Sequence, residues 1–425
     1  RRMPSLVGNE RSPAASRSAL VQREDAQKLL EDVQWDIEFH GFLTNHVKHA
    51  VIALAGLDAP PERVQAYWDE YTATTPYGMT LDPMDAKFET NLKESALTRA
   101  DVASLLGKKQ SFSKLCGYFK KQVSELGVDG AVSAHFATML ADGIVGALTH
   151  GVIHLGWALA SGNESMVVEG LAYQAFCHVS LRPDRYVTEA LPGATPLESM
   201  LWLAEEKRDE LAAFAADVKT DAEGRWPADS FRPELVQAGF QWQVAKVIDA
   251  GNSCFHLRPT WLDDDNLLER LYELASVLHL ASEGNFLVLH LITSLWGLDN
   301  VLSSLPPEQS KGDLLRHFWV MLLALLVTSG GGVPSGHTLH RVIDDAGLSS
   351  GSPKTDDPDD PAVQDHWRKL TDDAVHHQVE EHNIKLVYAE KDLWLRFGRK
   401  SLYRNAAAAF TDTPNISPSS STFST

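Results

Sequence analysis

Cysteine is scarce in this sequence. Three cysteines occur among 425 residues, and their spacings match no metal-binding motif. So few thiols cannot form a disulfide scaffold, and a chain of this length can bury a large core without one. We therefore expect a protein of a reducing compartment, and the cytoplasm is the simplest assignment.

An excess of positive charge is also lacking. The 57 acidic residues outnumber the 38 Lys and Arg residues, which gives a net charge of −19. Proteins that bind nucleic acid or anionic lipid need a basic surface, so we expect neither as a partner. No apolar segment typical of a secretory signal occurs near residue 1. The most apolar run, residues 318–327, is too short to span a bilayer.

Several common catalytic fingerprints are absent from the sequence. It contains no GxGxxG, GxxxxGK[ST] or HExxH motif. These absences argue against the usual flavin or dinucleotide site, the phosphate-binding loop and the zinc protease. The Glu-x-x-His pair of di-iron helical bundles is missing as well. Any chemistry must therefore come from another arrangement of side chains.

Strict alternation of polar and apolar residues, the pattern of half-buried strands, is rare in this chain. Apolar residues instead recur three and four positions apart, which is the helical period. The pattern predicts an all-α fold with a single large multi-helix domain. Two segments that are apolar on most faces, 287–302 and 313–327, are expected to be its central helices. Further helices are predicted over 24–39, 132–160, 196–218, 261–282 and 363–397.

Composition also divides the chain. Residues 1–22 are rich in Ser, Pro and Arg and are expected to form a flexible N-terminal arm. Residues 23–405 are expected to form the α-helical catalytic domain. Residues 406–425 end in a low-complexity Ser- and Thr-rich stretch and are expected to be a disordered tail.

Several of the 17 histidines lie on apolar helical faces, at spacings of three or four that place side chains side by side. A buried imidazole needs a partner for each ring nitrogen. Helices of a bundle can direct such rings onto a metal ion, so a histidine-lined interior site is one interpretation. Hydrogen-bonded core histidines are the other, and spacing does not decide between them. The positions are His46, His49, His150, His154, His290 and His382.

The segments around these histidines resemble the questin oxidase-like family. NHVKHAVIALAGLDAPPERVQAYWDEY at 45–71 resembles its N-terminal signature, and HGVIHLGWAL at 150–159 resembles its second histidine segment. LHLITSLWGL at 289–298 and EEHNIKL at 380–386 resemble its His-x-x-Thr and Glu-His-x-x-Lys segments. The four segments occur in the family's order, which makes the resemblance more specific than any one of them.

The resemblance implies an enzyme of fungal polyketide metabolism with a small aromatic substrate. Family members open the quinone ring of anthraquinones, by a net Baeyer–Villiger-like oxygen insertion or an oxidative C–C cleavage. The chemistry suggests a mononuclear non-haem Fe(II) site, with dioxygen as co-substrate. Carried over residue by residue, the family pattern gives metal ligands at His46, His150, His290, His382 and Lys385.

Roles for the neighbouring side chains follow the same resemblance. His154 is the first candidate for a catalytic base, although it could replace His150 as the ligand, because both lie on one helix. His49 is expected to bind substrate or orient a ligand ring. Thr293 could donate to a quinone oxygen, or instead bond back to its own helix.

Two tryptophans could bind a flat tricyclic substrate. Trp157 lies one helical turn from His154, and Trp296 lies nearly two turns from His290. Both are candidates to stack on the substrate rings. Ordinary core packing is the alternative.

Lys385 poses a physical problem, because an ammonium group is repelled by a metal cation. Burial and the metal charge would both lower its pKa. The neutral amine could be a ligand or could react with carbon dioxide, and carboxylated Lys385 is the hypothesis. The alternative is an ion pair with Glu381 on a solvated helix face.

Other classes of function stay open at the level of sequence. The first is an NADPH-dependent Baeyer–Villiger monooxygenase without metal, and the second is a non-enzymatic α-helical protein that binds a polyketide. A zinc hydrolase is a third. The sequence does not decide the oligomeric state.

Overall fold

The computed structural model describes residues 23–41, 43–225, 240–306, 311–328 and 332–411. Over these residues the expected all-α fold is confirmed. Extended structure is limited to short pairings in the described ranges. β1 (Glu38–Phe39) pairs with β2 (Leu43–Thr44) antiparallel, and β3 (Ala190–Leu191) pairs with β4 (Arg258–Pro259) parallel.

The helices surround one continuous apolar core that holds the central segments predicted from sequence. In chain order, their bounds are α1 Glu24–Leu30, α2 Val47–Gly56, α3 Pro61–Ala73, α4 Phe88–Glu94, α5 Arg99–Leu105, α6 Phe112–His135, α7 His150–Ser161, α8 Glu164–Phe176, α9 Pro196–Trp202, α10 Arg208–Arg225, α11 Phe240–Ala250, α12 Ser253–His256, α13 Leu267–Ala281, α14 Phe286–Ser303, α15 Lys311–Thr328, α16 Gly336–Asp345, α17 Pro361–His376, α18 Glu381–Arg396 and α19 Ser401–Ala408. Wider π-helical turns follow α6 and α9, at Phe136–Leu140 and Leu203–Lys207.

The continuous helix predicted over 132–160 is interrupted. Helix α6 ends at His135, and α7 begins only at His150. Glycines in the intervening turns let the backbone approach its neighbours closely: a Cβ atom on Gly146 would lie 1.7 Å from the carbonyl oxygen of Cys177. Hydrophobic periodicity does not indicate such an approach, because it reports only on side-chain burial.

Three other predicted helices are shorter than expected, and one of them, 261–282, begins only at Leu267. The segment 363–397 divides into α17 and α18, because the Glu380 carboxylate caps α18. Its Oε2 accepts from the backbone N–H groups of His382 at 2.8 Å and Asn383 at 3.1 Å. The segment 24–39 is helical only to Leu30, after which the chain leads into β1.

Helix α7 lies between α8 and α14 at contacts that leave no room for a side chain. A Cβ atom on Gly156 of α7 would lie 2.1 Å from the carbonyl oxygen of Gly297 in α14. On the other side of α7, a Cβ atom on Gly170 of α8 would lie 2.6 Å from the Cα atom of Leu155. This close packing brings the histidine-bearing faces of α7 and α14 together.

Among the described helices, one has the length and apolar composition of a membrane span. It is α14, whose residues are largely buried inside the protein. This burial agrees with its expected place as a central helix.

The predicted chain ends fall partly outside the described residues. The proposed arm, 1–22, lies outside them, as do residues 412–425 of the proposed tail. Helix α19 continues to Ala408, so the first residues assigned to the tail are helical. The domain boundaries stay a prediction.

The close crossing of α7 and α14 predicts that Gly156→Ala will destabilise the fold by about 3 kcal/mol, because overpacking forces backbone shifts. Urea unfolding would measure this change. Gly312→Ala is the matched control, since its nearest non-local atom would be 3.4 Å away, an ordinary contact. There we expect a change within about 0.5 kcal/mol, because Gly312 lies in the first turn of α15 and its replacement causes no overpacking. Equal stability of the two variants would contradict the crossing.

Candidate functional site

Four imidazole rings, three from different helices and one from the residue before a fourth, meet in the interior. His46 immediately precedes α2, His150 begins α7, and His290 and His382 belong to α14 and α18. Ring centroids are 4.6 Å apart for His46–His150 and for His46–His382. They are 5.0 Å apart for His150–His290 and 4.9 Å apart for His290–His382. All four rings are buried. We call these residues the four-histidine cluster.

The rings of the cluster are anchored through one nitrogen and leave the other free. His150 Nδ1 lies 2.5 Å from the carbonyl oxygen of Ala147, and His290 Nδ1 lies 2.8 Å from that of Phe286. His382 Nδ1 lies 2.5 Å from Glu380 Oε1. The Nε2 atoms of these three histidines are buried and have no hydrogen-bond partner. Because a carbonyl oxygen only accepts, His150 and His290 hold their protons on Nδ1 and their lone pairs on Nε2.

His46 completes the cluster from the other side. Its Nδ1 lies 3.3 Å from His49 Nδ1 and 3.0 Å from the Lys385 amine. One ring nitrogen from each of His46, His150 and His382 lies within 4.8 Å of the others. Two nitrogens bound to one ion at about 2.1 Å are at most about 4.2 Å apart, so sub-ångström adjustments suffice for a shared ion.

The electrostatics of the cluster keep its rings neutral. Burial lowers the pKa of each of the four imidazoles, and the nearby Lys385 lowers it further. For His290 the pKa falls to about 3. Neutral imidazole is the form that binds metal, and imidazole ligands suit Fe, Cu and Zn ions. Buried lone pairs without partners are costly, and a metal ion would satisfy them, so the residues fit such a group.

A left-handed turn positions His150. The residues before it, Ala147, Leu148 and Thr149, have φ values of 47°, 51° and 68°. Non-glycine residues in this region cost of order 1–3 kcal/mol each, and such strain concentrates at functional sites. The turn directs the carbonyl oxygen of Ala147 at His150 Nδ1. None of the three residues is glycine, so the sequence does not indicate a left-handed turn at this position.

Lys385 is fully buried beside the cluster. Burial lowers its pKa to about 8, although the carboxylates of Glu381 and Glu380 oppose the shift. A neutral amine is therefore accessible near neutral pH. The alternative that places this lysine on a solvated helix face is wrong.

Two carboxyl groups lie beside His382, and neither has a role at the site in the sequence analysis, which names Glu381 only as an ion-pair partner of Lys385. Glu380 both caps α18 and contacts the His382 ring. The Tyr77 hydroxyl donates to Glu381 Oε1 at 2.8 Å, whereas Oε2 of Glu381 is buried without a partner. Burial raises the pKa of both groups, and Glu381 also contributes to the value of about 8 at Glu380. Glu380, Glu381 and His382 form a second group of potential ligands. The only signal in the sequence is the pair of glutamates at a helix start.

A second row of polar side chains continues behind His46. His49 Nε2 lies 3.0 Å from His154 Nδ1, and His154 Nε2 lies 3.4 Å from Glu169 Oε2. Lys48 donates to both carboxylate oxygens of Glu169 at 2.8 Å. His154 thus faces Glu169, while His150 on the same helix joins the cluster. The spacing along α7 does not reveal this division, and Lys48 and Glu169 were also missed.

The candidate substrate-binding residues lie in a buried aromatic group. The ring of Trp157 is 4.7 Å from Trp296, 5.6 Å from Tyr388 and 6.1 Å from His49. Trp157 is fully buried, and Trp296 is nearly so. The two indoles pack on each other, next to the second row of histidines. Their role in stacking on a substrate stays a prediction.

Thr293 is buried, and its hydroxyl has no hydrogen-bond partner within the described part of the chain. The expected alternative, a bond back to its own helix, is therefore not formed. The unpaired hydroxyl is available for a ligand oxygen, and its role stays a prediction.

The lowered histidine pKa values predict acid-sensitive folding of the metal-free protein. Below about pH 6.5 the four-histidine cluster, His49 and His154 bind protons in the unfolded chain but stay neutral in the folded protein. The stability that these histidines contribute is therefore fully present above that pH and is lost as the pH falls below it. Each histidine contributes a slope of about 1.4 kcal/mol per pH unit. Glu380 and Glu381, whose pKa values are raised, contribute with opposite sign, but they are fewer. Urea unfolding between pH 7 and pH 5 measures the sum.

Two variants isolate the contribution of one ring. His290→Gln should reduce the slope of the free energy of unfolding against pH by about 1.4 kcal/mol per pH unit, which is the contribution of one proton. His279→Gln is a comparison at an equally buried histidine outside the cluster, whose pKa burial lowers to about 4, and it should reduce the slope in the same direction. An unchanged slope in the His290 variant would contradict a neutral buried ring.

The chain matches a protein family and is similar to two curated proteins. A family model described as questin oxidase-like matches residues 43–390. The Baeyer-Villiger oxidase ptaJ of Pestalotiopsis fici is 30% identical over 200 residues, which cover 44% of this chain and 43% of that protein. The Baeyer-Villiger oxidase AgnL3 of Paecilomyces divaricatus is 26% identical over 137 residues, which cover 31% and 28%. The chain thus spans less than half the length of these two curated relatives.

The family match covers every member of the four-histidine cluster and the second row. It extends from β2, before His46, to the middle of α18, after Lys385. The resemblance identified from the four sequence segments is confirmed: the chain belongs to the questin oxidase-like family.

Proposed function

We propose that this protein is a non-haem iron-dependent oxygenase that opens the quinone ring of an anthraquinone in fungal polyketide metabolism. One observation carries the metal-dependent part: three buried Nε2 atoms without partners occur in a cluster of four neutral imidazoles. The oxidative part is supported by family membership and by two relatives named Baeyer-Villiger oxidases.

The type of reaction favours iron among the metals that imidazole binds. Bound iron would supply the redox chemistry that dioxygen needs to react with an aromatic ketone, which zinc does not supply. His46, His150, His290 and His382 would hold the ion. Their anchored Nδ1 atoms fix the ring orientations before a ligand arrives, which is the role that outer partners of metal-bound histidine serve.

Two other side chains at the cluster, Glu380 and Lys385, would hold or release protons and supply negative charge. Glu380, with a pKa of about 8, can hold or release a proton at Oε1 beside His382. Lys385 in its amine form can react with carbon dioxide, forming an Nζ–C bond and losing a proton, to give a carbamate. We propose carboxylated Lys385 as an anionic oxygen ligand, because burial favours the amine that must react.

The substrate would be a small aromatic polyketide next to the cluster. The unpaired hydroxyl of Thr293 supports a hydrogen bond to a quinone oxygen, and Trp157 and Trp296 form an aromatic wall nearby. His49 contacts both Trp157 of this wall and His46 of the cluster. His154 stays the first candidate for a base, although its contact with Glu169 directs it to the second row.

A metal-free, NADPH-dependent Baeyer–Villiger oxidase is the competing proposal. The names of both relatives describe the reaction type and are equally compatible with it. It predicts turnover that requires NADPH and survives removal of metal. A polyketide-binding protein without turnover would contain neither metal nor activity.

Metal content and activity separate these functions. We expect about one iron per chain after anaerobic reconstitution, measured by mass spectrometry, and oxygen uptake with a hydroxyanthraquinone. His290→Ala should lose iron and turnover. His279→Ala is the matched control, because His279 is equally buried but its Nε2 bonds to the carbonyl oxygen of Ala409, away from the cluster.

Both alanine variants should lose stability, by about 1–3 kcal/mol, because each leaves a buried partner unpaired. Only the His290 variant should lose iron. Full iron and full turnover in His290→Ala would overturn the ligand assignment. Activity that survives chelation and requires NADPH would favour the metal-free enzyme.

The role of Lys385 is tested separately. Lys385→Met should abolish turnover, and ¹³C-bicarbonate should give a carbamate NMR signal in the wild type but not in this variant. Lys391→Met is the control, because Lys391 lies on the same helix and instead donates to Thr371 at 3.3 Å. Full activity of Lys385→Met would rule out an essential role.

A further inference from the structure

A buried row of four side chains leads to the cluster, and its first two members, Lys48 and Glu169, form an ion pair. Lys48 donates to Glu169, Glu169 faces His154 Nε2, His154 Nδ1 meets His49 Nε2, and His49 Nδ1 meets His46 Nδ1. Every member is buried, so water does not compete for these contacts. We call Lys48, Glu169, His154 and His49 the relay, because each contact restricts the proton position in the next.

The order of protons along the relay follows from its first member. The Lys48 ammonium has only donors, and both oxygens of Glu169 accept from it at 2.8 Å. Burial alone would raise the pKa of Glu169, but Lys48 and His154 hold it below the usual value. Glu169 is therefore an anion. A lone pair on His154 Nε2 would be repelled by this anion, so that nitrogen carries the proton and faces the carboxylate at 3.4 Å, as an electrostatic contact outside hydrogen-bond geometry.

The remaining positions follow because a neutral imidazole carries a single ring proton. His154 Nδ1 then has the lone pair and accepts from His49 Nε2–H at 3.0 Å. His49 Nδ1 in turn accepts from His46 Nδ1–H at 3.3 Å. His46 is left with its lone pair on Nε2. Lys385, 3.0 Å from His46 Nδ1, can share this N–H as a second acceptor only in its uncharged amine form, because an ammonium group only donates.

We propose that Glu169, held by Lys48, is a positioning residue that fixes His46 as the Nδ1–H tautomer through His154 and His49. It gives His46 the same tautomer that carbonyl oxygens impose on His150 and His290. Glu169 itself touches none of the four rings of the cluster through any described contact. The consequence for metal binding rests on the proposed function, whereas the proton order does not.

Glu169→Gln reverses this order in a predictable way. Lys48 keeps the one remaining oxygen of the side chain, so the new NH₂ group faces His154 Nε2 and donates to it. His154 must then carry its proton on Nδ1, His49 must carry its own on Nδ1, and His46 must carry its own on Nε2. A substitution with almost no change of volume therefore moves one proton on a ring three contacts away.

The tautomers are measured in metal-free protein labelled with ¹⁵N-histidine. Ring nitrogen shifts separate protonated from unprotonated atoms, and the signals of His46 are identified by their loss in His46→Gln. We expect Nδ1–H in the wild type and Nε2–H in Glu169→Gln. Glu273→Gln is the matched control, because Glu273 pairs with Lys400 at similar burial and touches no histidine of the relay.

The metal-binding consequence uses Co²⁺ as a spectroscopic probe. Glu169→Gln should weaken Co²⁺ binding by about 10- to 100-fold, as loss of an outer partner of a histidine ligand does. Glu169→Asp, which keeps the carboxylate, should recover part of this loss, and Glu273→Gln should bind Co²⁺ like the wild type. A purely structural role for Glu169 would weaken binding in the Asp variant as much as in the Gln variant.

The outcomes distinguish this inference from the proposed function. Nε2–H on His46 in the wild type, or an unchanged tautomer in Glu169→Gln, overturns the relay whether or not metal binds. The first of these needs no variant to fold. A reversed tautomer in a protein whose wild type binds neither Co²⁺ nor Fe²⁺ supports the relay and overturns the metal-dependent function.

Discussion

The site depends on holding four uncharged imidazoles together in the buried interior of the protein. Burial makes each ring neutral, but it also requires a partner for every ring nitrogen. The protein supplies these partners on one side only, through two carbonyl oxygens, the carboxyl group of Glu380 and the relay behind His46. The unsatisfied nitrogens then share one interior region. The strained turn before His150 and the cap of α18 both serve this one-sided arrangement.

Close helix packing makes the arrangement possible. The α7–α14 crossing at Gly156 and Gly297 brings two backbones almost into contact, so His150 and His290 can meet without long side chains between them. On the other side, α2 and α18 contribute His46 and His382, and these helices also pack closely: a Cβ atom on Gly56 would lie 2.3 Å from the Tyr388 ring. Glycine matters at these contacts because it has no Cβ atom, so neighbouring atoms can approach the backbone closely.

Sequence reasoning could predict the helical fold and the histidine-bearing faces, because helical periodicity and spacings of three or four are local properties. It could not predict the left-handed turn at Ala147–Thr149, since none of its residues favours that conformation. It also missed Glu169, which meets His154 from the neighbouring helix, and Lys48, which is 121 positions from Glu169. Helix interruptions caused by glycine contacts or by the Glu380 cap were invisible for the same reason: their partners are distant in sequence or belong to the backbone.

Three of the four rings are attached at the beginnings of helices. His46 precedes α2, His150 is the first residue of α7, and His382 is the second residue of α18. The exposed N–H groups of a helix start carry partial positive charge, which is strongest within the first turn. At α18 the Glu380 carboxylate already accepts from two of these N–H groups, so the starts of α2 and α7 are the ones that add positive potential at the cluster when every ring is neutral. A ligand that arrives as an anion, such as the ionised phenol of a hydroxyquinone, gains from that potential, whereas its protonated form gains much less.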